Sequence, residues 1–430
     1  AGEMSPVINP AEPKDIVGFV REATPREVEQ ALESAVNNAP IWFATPPVER
    51  AAILHRAAVL MESQMQQLIG ILVREAGKTF SNAIAEVREA VDFLHYYAGQ
   101  VRDDFANETH RPLGPVVCIS PWNFPLAIFT GQIAAALAAG NSVLAKPAEQ
   151  TPLIAAQGIA ILLEAGVPPG VVQLLPGQGE TVGAQLTGDD RVRGVMFTGS
   201  TEVATLLQRN IASRLDAQGR PIPLIAETGG MNAMIVDSSA LTEQVVVDVL
   251  ASAFDSAGQR CSALRVLCLQ DEIADHTLKM LRGAMAECRM GNPGRLTTDI
   301  GPVIDSEAKA NIERHIQTMR SKGRPVFQAV RENSEDAREW QSGTFVAPTL
   351  IELDDFAELQ KEVFGPVLHV VRYNRNQLPE LIEQINASGY GLTLGVHTRI
   401  DETIAQVTGS AHVGNLYVNR NMVGAVVGVQ

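Results

Sequence analysis

A single cysteine lies among small polar residues in the stretch AFDSAGQRCSALRVL, at residues 253–267. Cys261 could be a small buried hydrophobic residue, which is the usual environment of an isolated cysteine, or it could be a nucleophile. The glycine and the polar residues around it predict a loop before a strand. The adjacent Arg260 and the backbone amides would lower the pKa of a thiol there. Cys261 is therefore a candidate for covalent catalysis.

A carboxylate ends the apolar stretch PLIAE and is followed by Thr-Gly-Gly. Glu227 is predicted to lie at the carboxyl end of a strand, which is where open α/β sheets place their sites. Taken alone, it is equally consistent with a loop carboxylate that faces water. Paired with Cys261, it could act as a general base, because a thiol and a base in one crevice can form and then hydrolyse an acyl intermediate.

The stretch SPWNFPLAIF, at residues 120–129, contains two prolines that predict an irregular turn. Asn123 offers an amide donor of the kind that stabilises an oxyanion, although an ordinary turn asparagine explains it as well. Trp122 and Phe124 could form the walls of a pocket. This stretch is a third candidate part of a catalytic site.

Nucleotide-binding features occur without the usual fingerprint, because no GxGxxG follows the first predicted strand. The stretch FTGSTEVA instead predicts a strand that runs into a helix. Gly199 and Ser200 would then lie at a helix N-terminus, where amides and the helix dipole suit a pyrophosphate. Lys146 and Glu149, in AKPAEQTP, follow another predicted strand and could bond ribose hydroxyls. Each of these signals is weak when taken singly.

The elements that must position these residues follow from the hydrophobic pattern. Helix-spaced apolar residues predict a helical layer over residues 24–98, opened by a capping box at Thr24. From residue 115, short β-branched runs alternate with helical segments, which predicts a parallel sheet covered by helices on both faces. The alternation starts again after LIAETGG. The fold class is therefore α/β with two domains, and the polar stretch at 331–343 predicts a solvated loop.

Composition excludes several classes of function. The net charge of −15 disfavours a nucleic-acid surface on this segment. The longest apolar run, at residues 131–140, is shorter than the about 20 residues that a membrane span needs. No signal peptide is visible, so reduced thiols and a cytoplasmic location are expected. No metal site is predicted, because the histidines lack ligand spacing and no CxxC pair occurs among Cys118, Cys261, Cys268 and Cys288.

Six motifs occur together in the order WNFP, KPAEQTP, FTGS, ETGG, GQRC and KEVFGP, the last at residues 361–366. In this order they resemble the aldehyde dehydrogenase superfamily over nearly the whole chain, and the spacing between Glu227 and Cys261 agrees with that family. GQRCSALRVL and AETGGMNAMIVDSSAL resemble the glutamate-semialdehyde (pyrroline-5-carboxylate) dehydrogenases, especially the dehydrogenase module of bacterial bifunctional proline-catabolic flavoenzymes. The resemblance implies NAD-dependent oxidation of L-glutamate γ-semialdehyde to L-glutamate in proline catabolism.

The resemblance also implies roles at the reacting centre. The Cys261 thiolate would add to the aldehyde carbon, giving a thiohemiacetal and then a thioester. The Asn123 amide and the Cys261 backbone N–H would hold the oxyanion, and Glu227 would activate the water that hydrolyses the thioester. Ser262 would bind the substrate carboxylate, unless its hydroxyl only bonds its own loop, and Phe124 would line the substrate pocket.

A cofactor site is implied in the same way. Lys146 and Glu149 would bind the adenine ribose, Ser200 the pyrophosphate and Glu362 the nicotinamide ribose. Glu149 would repel a 2′-phosphate, which favours NAD over NADP. The complete set of predicted cofactor residues is Lys146, Glu149, Gly199, Ser200, Glu362, Phe364 and Trp122.

The resemblance divides the chain into an NAD-binding domain at 1–227, with an oligomerisation excursion at about 100–118, a catalytic domain at 228–413 and a C-terminal segment at 414–430. The family continues beyond Gln430 with a Gly-rich substrate-binding segment and a strand used in dimer contacts. We therefore expect a truncated piece of a longer homodimeric protein, with a proline dehydrogenase domain in the same parent chain.

Two alternatives stay open at this point. The same machinery could serve another aldehyde, or it could be a CoA-acylating variant, although a dedicated base at Glu227 argues against the CoA-acylating form. A protein that keeps the fold without catalysis is the other alternative. The joint presence of Cys261, Glu227 and Asn123 argues against it.

Overall fold

The computed structural model describes residues 3–216, 218–329, 340 and 342–429. Most of the polar stretch at 331–343, predicted as a solvated loop, lies outside these residues. The described part of the chain divides into two compact units. The first contains the residues up to Asn9, Pro13–Thr228 and Val426–Val429, and the second contains Pro10–Glu12 and Gly229–Ala425.

A two-stranded hairpin and four helices form the N-terminal part of the chain. The capping box predicted at Thr24 is confirmed, because the Thr24 side chain accepts a bond from the Glu27 amide and the Glu27 carboxylate accepts one from the Thr24 amide. The hairpin was not predicted. The strands are β1 (Met4–Asn9) and β2 (Glu12–Arg21), and the helices are α1 (Pro25–Ala44), α2 (Pro47–Ser63), α3 (Met65–Glu75) and α4 (Phe80–Asp104).

A parallel sheet forms the centre of the first unit, with the described strands in the order β5-β4-β3-β6-β7. The strands are β3 (Pro115–Ile119), β4 (Ser142–Lys146), β5 (Val172–Leu174), β6 (Gly194–Thr198) and β7 (Leu224–Glu227). The helices are α5 (Ala127–Ala138), α6 (Pro152–Glu164), α7 (Ala184–Gly188) and α8 (Thr201–Ile211). Strand order reverses between β3 and β6, so the loops that follow these two strands flank the switch point where such sheets bind ligands.

The predicted oligomerisation excursion, at about residues 100–118, overlaps two regular elements of the first unit. Residues 100–104 of the predicted excursion end α4, and residues 115–118 lie in β3, a strand paired on both sides. The connection at residues 105–114 lies between them. The excursion itself stays a prediction, and only its connecting part is outside regular structure.

The second unit contains a larger sheet with the described order β10-β11-β12-β9-β8-β13-β14. Only the β10–β11 pair is antiparallel among the pairs described. The strands are β8 (Ala233–Val236), β9 (Val266–Gln270), β10 (Val326–Gln328), β11 (Thr349–Leu353), β12 (Val367–Tyr373), β13 (Thr393–His397) and β14 (Asn415–Val418). The helices are α9 (Thr242–Phe254), α10 (Asp271–Glu287), α11 (Ser306–Ser321), α12 (Leu378–Ala387) and α13 (Asp401–Ser410).

The α/β fold class is confirmed, and each unit has its own core. Buried strands and helix faces form one large hydrophobic cluster in the second unit and two smaller ones in the first. Among the described helices, none combines the length and the apolar composition that a bilayer crossing requires.

Candidate active site

The irregular segment that carries Asn123 connects β3 to α5 in the first unit. The Asn123 side chain is partly buried. The start of α5 is held by Glu86 of α4, whose Oε1 accepts bonds from the amides of Leu126, at 2.9 Å, and Ala127, at 3.0 Å. The Lys78 ammonium lies 2.7 Å from Glu86 Oε2. A buried carboxylate therefore anchors the chain three residues after Asn123.

This ion pair also contacts the aromatic part of the segment. The Lys78 ammonium lies 4.7 Å from the centroid of the Phe124 ring, within cation–π distance. The Lys78 and Glu86 side chains are 6% and 0% exposed. Sequence reasoning missed both residues. The signal was a glutamate on an otherwise apolar helix face, between Ala83 and Ala90.

The predicted strand-to-helix turn at FTGS is confirmed. β6 ends at Thr198 and α8 begins at Thr201, and the Ser200 side chain caps the helix by accepting a bond from the Val203 amide at 3.2 Å. A Cβ at Gly199 would lie 2.6 Å from the Phe197 ring, so only glycine fits there without movement. The N-terminus of an eleven-residue helix therefore opens at the switch point, as a pyrophosphate site requires.

Lys146 and Glu149 form a pair directly after β4. The Lys146 side chain is 3% exposed, and its ammonium donates to Glu149 Oε1 at 2.8 Å and to the Pro147 carbonyl at 3.2 Å. The Glu149 side chain is 42% exposed. A fixed ammonium beside an accessible carboxylate is suited to bind the hydroxyls of a ribose.

Glu227 is the last residue of β7, as predicted, and its side chain is exposed. It is the register partner of Thr198 at the end of β6, and its carbonyl accepts a bond from the Gly199 amide at 3.1 Å. The sheet therefore places Glu227 next to the FTGS turn, at the carboxyl edge of the first unit's sheet.

The loop that carries Cys261 lies in the second unit and leads into β9. It begins with three successive left-handed residues, Ser256, Ala257 and Gly258, with φ angles of 54°, 55° and 66°. A left-handed backbone costs about 1–2 kcal/mol for each residue other than glycine. Such a turn persists only where the surrounding contacts impose it.

Buried side chains hold the carbonyls of this loop. Asn232 Nδ2 donates to the carbonyls of Cys261, at 2.6 Å, and Ala263, at 2.9 Å, and Asn232 is 2% exposed. Thr393 Oγ1 donates to the Ser262 carbonyl at 3.4 Å. In a planar trans peptide, C=O and N–H point in opposite directions. Fixing these carbonyls therefore aims the amides of the loop the other way.

Arg265 makes the most extensive contacts with the loop. Its Nη1 donates to the carbonyls of Gly258, at 2.7 Å, and Gly365, at 3.3 Å. Its Nη2 donates to the Arg260 carbonyl at 2.9 Å and to Glu362 Oε1 at 2.9 Å, and its Nε lies 3.2 Å from the same carboxylate oxygen. The side chain is fully buried. Sequence reasoning missed this arginine, whose signal was a charge in the apolar stretch ALRVL.

The environment of the Cys261 thiol has opposing effects. Burial raises its pKa and the Glu362 carboxylate raises it further, whereas the amides of Ser262 and Cys261 and the charge of Arg265 lower it. The amides have the expected lowering effect, but the expected lowered pKa is wrong, because burial and the Glu362 charge outweigh them and the pKa of the Cys261 thiol is raised. The expected effect of Arg260 is wrong, because its guanidinium pairs with Asp255 at 2.9 Å and Arg265 supplies the positive charge instead.

The other buried thiols have no such features. Burial alone raises the pKa of Cys118, in β3, and of Cys268, in β9. Both are 0% exposed. Cys261 thus differs from them because backbone amides and the charge of Arg265 partly offset the effect of burial on the pKa of its thiol.

The motif KEVFGP lies against the same loop. Besides the Glu362 contact, the Arg265 guanidinium lies 5.1 Å from the centroid of the Phe364 ring. A Cβ at Gly229 would lie 1.7 Å from Glu362 Oε2, which explains the first glycine of ETGG. Cys261, Ser262, Glu362 and Phe364 are therefore gathered at the amino edge of the second unit's sheet.

The predicted residues thus form two groups. The structure gathers one group around the carboxyl edge of the first unit's sheet and the other within the second unit. The first group is Trp122, Asn123, Phe124, Lys146, Glu149, Gly199, Ser200 and Glu227, and the second is Cys261, Ser262, Glu362 and Phe364.

Comparisons with known proteins agree with the aldehyde dehydrogenase resemblance of the six sequence motifs. A model of the aldehyde dehydrogenase family matches residues 1–429. The chain is 99% identical over 430 residues to bifunctional protein PutA of Escherichia coli strain K12, with 100% of the chain and 33% of that protein covered. It is 35% identical to a 1-pyrroline-5-carboxylate dehydrogenase of Bacillus cereus strain B4264, with 98% of the chain and 83% of that protein covered.

The chain is also similar to solved structures of the same two kinds of protein. A 1-pyrroline-5-carboxylate dehydrogenase from Thermus with bound NAD superposes with a TM-score of 0.92 at 36% identity, covering 100% of this chain and 84% of that one. A bifunctional proline utilization A (PutA) structure gives a TM-score of 0.89 at 48% identity, covering 96% and 42%. The chain spans about a third of the length of the first curated relatives that it matches.

Proposed function

The chain belongs to the aldehyde dehydrogenase family, and from that premise we propose that it oxidises L-glutamate γ-semialdehyde to L-glutamate with NAD in proline catabolism. The observation that carries the reaction type is the partly buried Cys261 thiol with two backbone amides directed at it. The substrate is supported by the identity to a 1-pyrroline-5-carboxylate dehydrogenase over 98% of the chain.

Cys261 would carry the covalent steps, assisted by Asn123 and Glu227. The Cys261 thiolate adds to the aldehyde carbon, and the developing oxyanion is held by the Cys261 amide and the Asn123 side chain. Loss of hydride from the thiohemiacetal leaves a thioester. Glu227 takes a proton from water, which attacks the thioester and releases the carboxylate product and the thiolate.

Most of the residues predicted to bind the cofactor lie in the first unit and fit a dinucleotide. Ser200 and Gly199 open a helix N-terminus for the pyrophosphate, and Lys146 and Glu149 present an ammonium and a carboxylate to the adenine ribose. Glu362 would bind the nicotinamide ribose, with Phe364 and Trp122 packing nearby. Bound NAD would supply the hydride acceptor.

Ser262 is proposed to read the substrate carboxylate, with Phe124 as a wall of the substrate pocket. The Ser262 carbonyl is held by Thr393, so its side chain is positioned on a fixed backbone. Ser262→Ala should lower kcat/KM for the semialdehyde by a factor that corresponds to about 1–3 kcal/mol of lost binding free energy, the range for a lost bond to a charged group. The kcat/KM for propanal should stay nearly unchanged. Equal losses for both aldehydes would mean that Ser262 only supports the loop.

We also propose the wider setting. The chain would be the dehydrogenase segment of a homodimeric bifunctional protein whose other catalytic domain is an FAD-dependent proline dehydrogenase, in line with its PutA relatives. A cytoplasmic location is supported by the four cysteines, all of which are free thiols. The two-domain division at residue 227 stays part of this proposal.

The test is NADH absorbance on adding the semialdehyde to the full-length protein. We expect NADH formation without CoA and no acyl-CoA product when CoA is present. A strict requirement for CoA would identify an acylating enzyme. Absence of NADH with any short aldehyde, from protein that binds NAD, would refute the proposed activity.

A further inference from the structure

One guanidinium joins two parts of the site that lie far apart in the sequence. Arg265 bonds the carbonyls of Gly258 and Arg260, which flank the turn before Cys261, and also the Glu362 carboxylate. These groups come from the nucleophile loop and from the KEVFGP motif. The side chain is fully buried, so each contact is made in the absence of competing water.

The contact with the Arg260 carbonyl has a geometric consequence. The carbonyl of residue 260 and the amide of residue 261 belong to one planar peptide and point in opposite directions. Holding the carbonyl at 2.9 Å therefore fixes the direction of the Cys261 N–H. That N–H is the backbone donor proposed above for the oxyanion.

The contact between Arg265 and Glu362 acts on the KEVFGP motif. Two nitrogens of Arg265 converge on Glu362 Oε1, at 2.9 and 3.2 Å. A planar guanidinium can hold this carboxylate and the loop carbonyls together, whereas a lysine ammonium is a single point with three donors. The Glu362 carboxylate raises the pKa of the Cys261 thiol, and the neighbouring Arg265 charge lowers it.

We propose that Arg265 is a positioning residue for the dehydrogenase reaction, because one guanidinium fixes both the Cys261 amide that receives the oxyanion and the Glu362 carboxylate that binds the nicotinamide ribose. This inference rests on the proposed function. It assigns to Arg265 no contact with substrate or cofactor. Its effect should appear in turnover and in the reactivity of Cys261 more than in affinity.

The experiment uses Arg265→Met and Arg265→Lys in the full-length protein, with Arg282→Met as the matched control. Arg282 also pairs with a carboxylate, Glu352, in the same unit, but its side chain is 38% exposed and its described ion pair and hydrogen bond both go to Glu352 rather than to the nucleophile loop. Each variant is assayed for kcat, for the KM of the semialdehyde, for NAD binding by titration, and for the pH dependence of Cys261 alkylation by iodoacetamide.

Arg265→Met should lower kcat about 100-fold, the lower range for loss of one oxyanion donor, and change the semialdehyde KM less than about threefold. Its alkylation profile should move to higher pH, because the Glu362 charge is no longer balanced. Arg265→Lys should keep the profile near that of the parent but lower kcat about tenfold. Arg282→Met should match the parent in every measurement.

Two results would overturn the inference. One is Arg265→Met protein that binds NAD and keeps the parental kcat and alkylation profile. The other is parental turnover in Arg265→Lys, which decides the question even if the methionine variant does not fold. The alkylation profile needs no aldehyde turnover, so a parent protein that lacks dehydrogenase activity refutes the proposed function while the effect of Arg265 on Cys261 is still measured.

Discussion

Breaking the buried Lys78–Glu86 pair should strongly destabilise the first unit, and Glu86→Gln tests this. The substitution keeps the shape of the side chain and one oxygen that can accept from the amides of Leu126 or Ala127. It removes the negative charge 2.7 Å from the ammonium of Lys78, whose side chain is only 6% exposed. The ammonium is then left buried without a counter-charge.

Breaking a buried ion pair in this way costs about 3–5 kcal/mol. Adding Lys78→Met should return part of that loss, because the uncompensated charge is then gone, so the double variant should be more stable than the sum of the two single effects predicts. Asp103→Asn is the control. It removes the ion pair between Asp103 and Arg102, which has the same 2.7 Å length. The side chains of Arg102 and Asp103 are 51% and 59% exposed. Its effect on stability should be negligible.

A protein with two compact units need not unfold in one step, so global melting is a poor measure here. Native-state hydrogen exchange of peptides from α5, measured over a denaturant series, reports the local free energy of opening. A loss below about 1 kcal/mol in Glu86→Gln, or a loss equal to that in Asp103→Asn, would show that burial of the pair does not make it stabilising. The anchoring of the Asn123 segment would then need another cause.

Three further outcomes are expected. Cys261→Ala should abolish aldehyde oxidation while NAD still binds in a titration, and near-normal turnover would end the nucleophile assignment. Glu227→Gln should give one burst equivalent of NADH and a thioester on Cys261 visible by intact mass, whereas steady parental turnover would place the base elsewhere. Burial raises the pKa of Glu75 to about 7, although the hydrogen bonds from the amides of Leu153 and Ile154 lower it. Its neutral form is therefore favoured by folding, and this stabilisation is complete below pH 4.5 and lost as pH rises through about 7. The melting temperature of the parent should fall relative to that of Glu75→Gln over this window, and a constant difference would contradict the assignment.

The fold was largely readable from the sequence because most of its elements carry local signals. The Thr24 capping box, the strand ending at Glu227 and the FTGS turn each depend on a few adjacent residues. The β1–β2 hairpin has no such signal, because no residue of its strand β2 is buried and its residues do not alternate clearly between apolar and polar. Strand order also lay beyond local pattern, since it depends on contacts between distant segments.

The sequence allows candidate site residues to be proposed, but it does not reveal the residues that hold them in place. Cys261, Glu227 and Asn123 could be proposed from residue type and motif order. Asn232 and Arg265 could not, because an amide or a guanidinium that bonds loop carbonyls leaves no spacing rule in the sequence. The error over Arg260 has the same origin. Adjacency in sequence suggested a contact with the thiol, and the three-dimensional partner of Arg260 is Asp255.

The contact between Gly258 and Gly365 limits how this protein can change by neutral drift. A Cβ at Gly258 would lie 2.2 Å from the Gly365 carbonyl oxygen, and a Cβ at Gly365 would lie 2.3 Å from Ile312 Cδ1. The obstacle at Gly258 is backbone, so no second mutation of a side chain can make room for it. Ile312 is a side chain and could shrink, which leaves Gly365 a narrow two-step route that Gly258 lacks. In a saturation library selected for activity, position 258 should therefore return glycine alone, whereas alanine at 365 should be recovered, most often together with a smaller residue at 312.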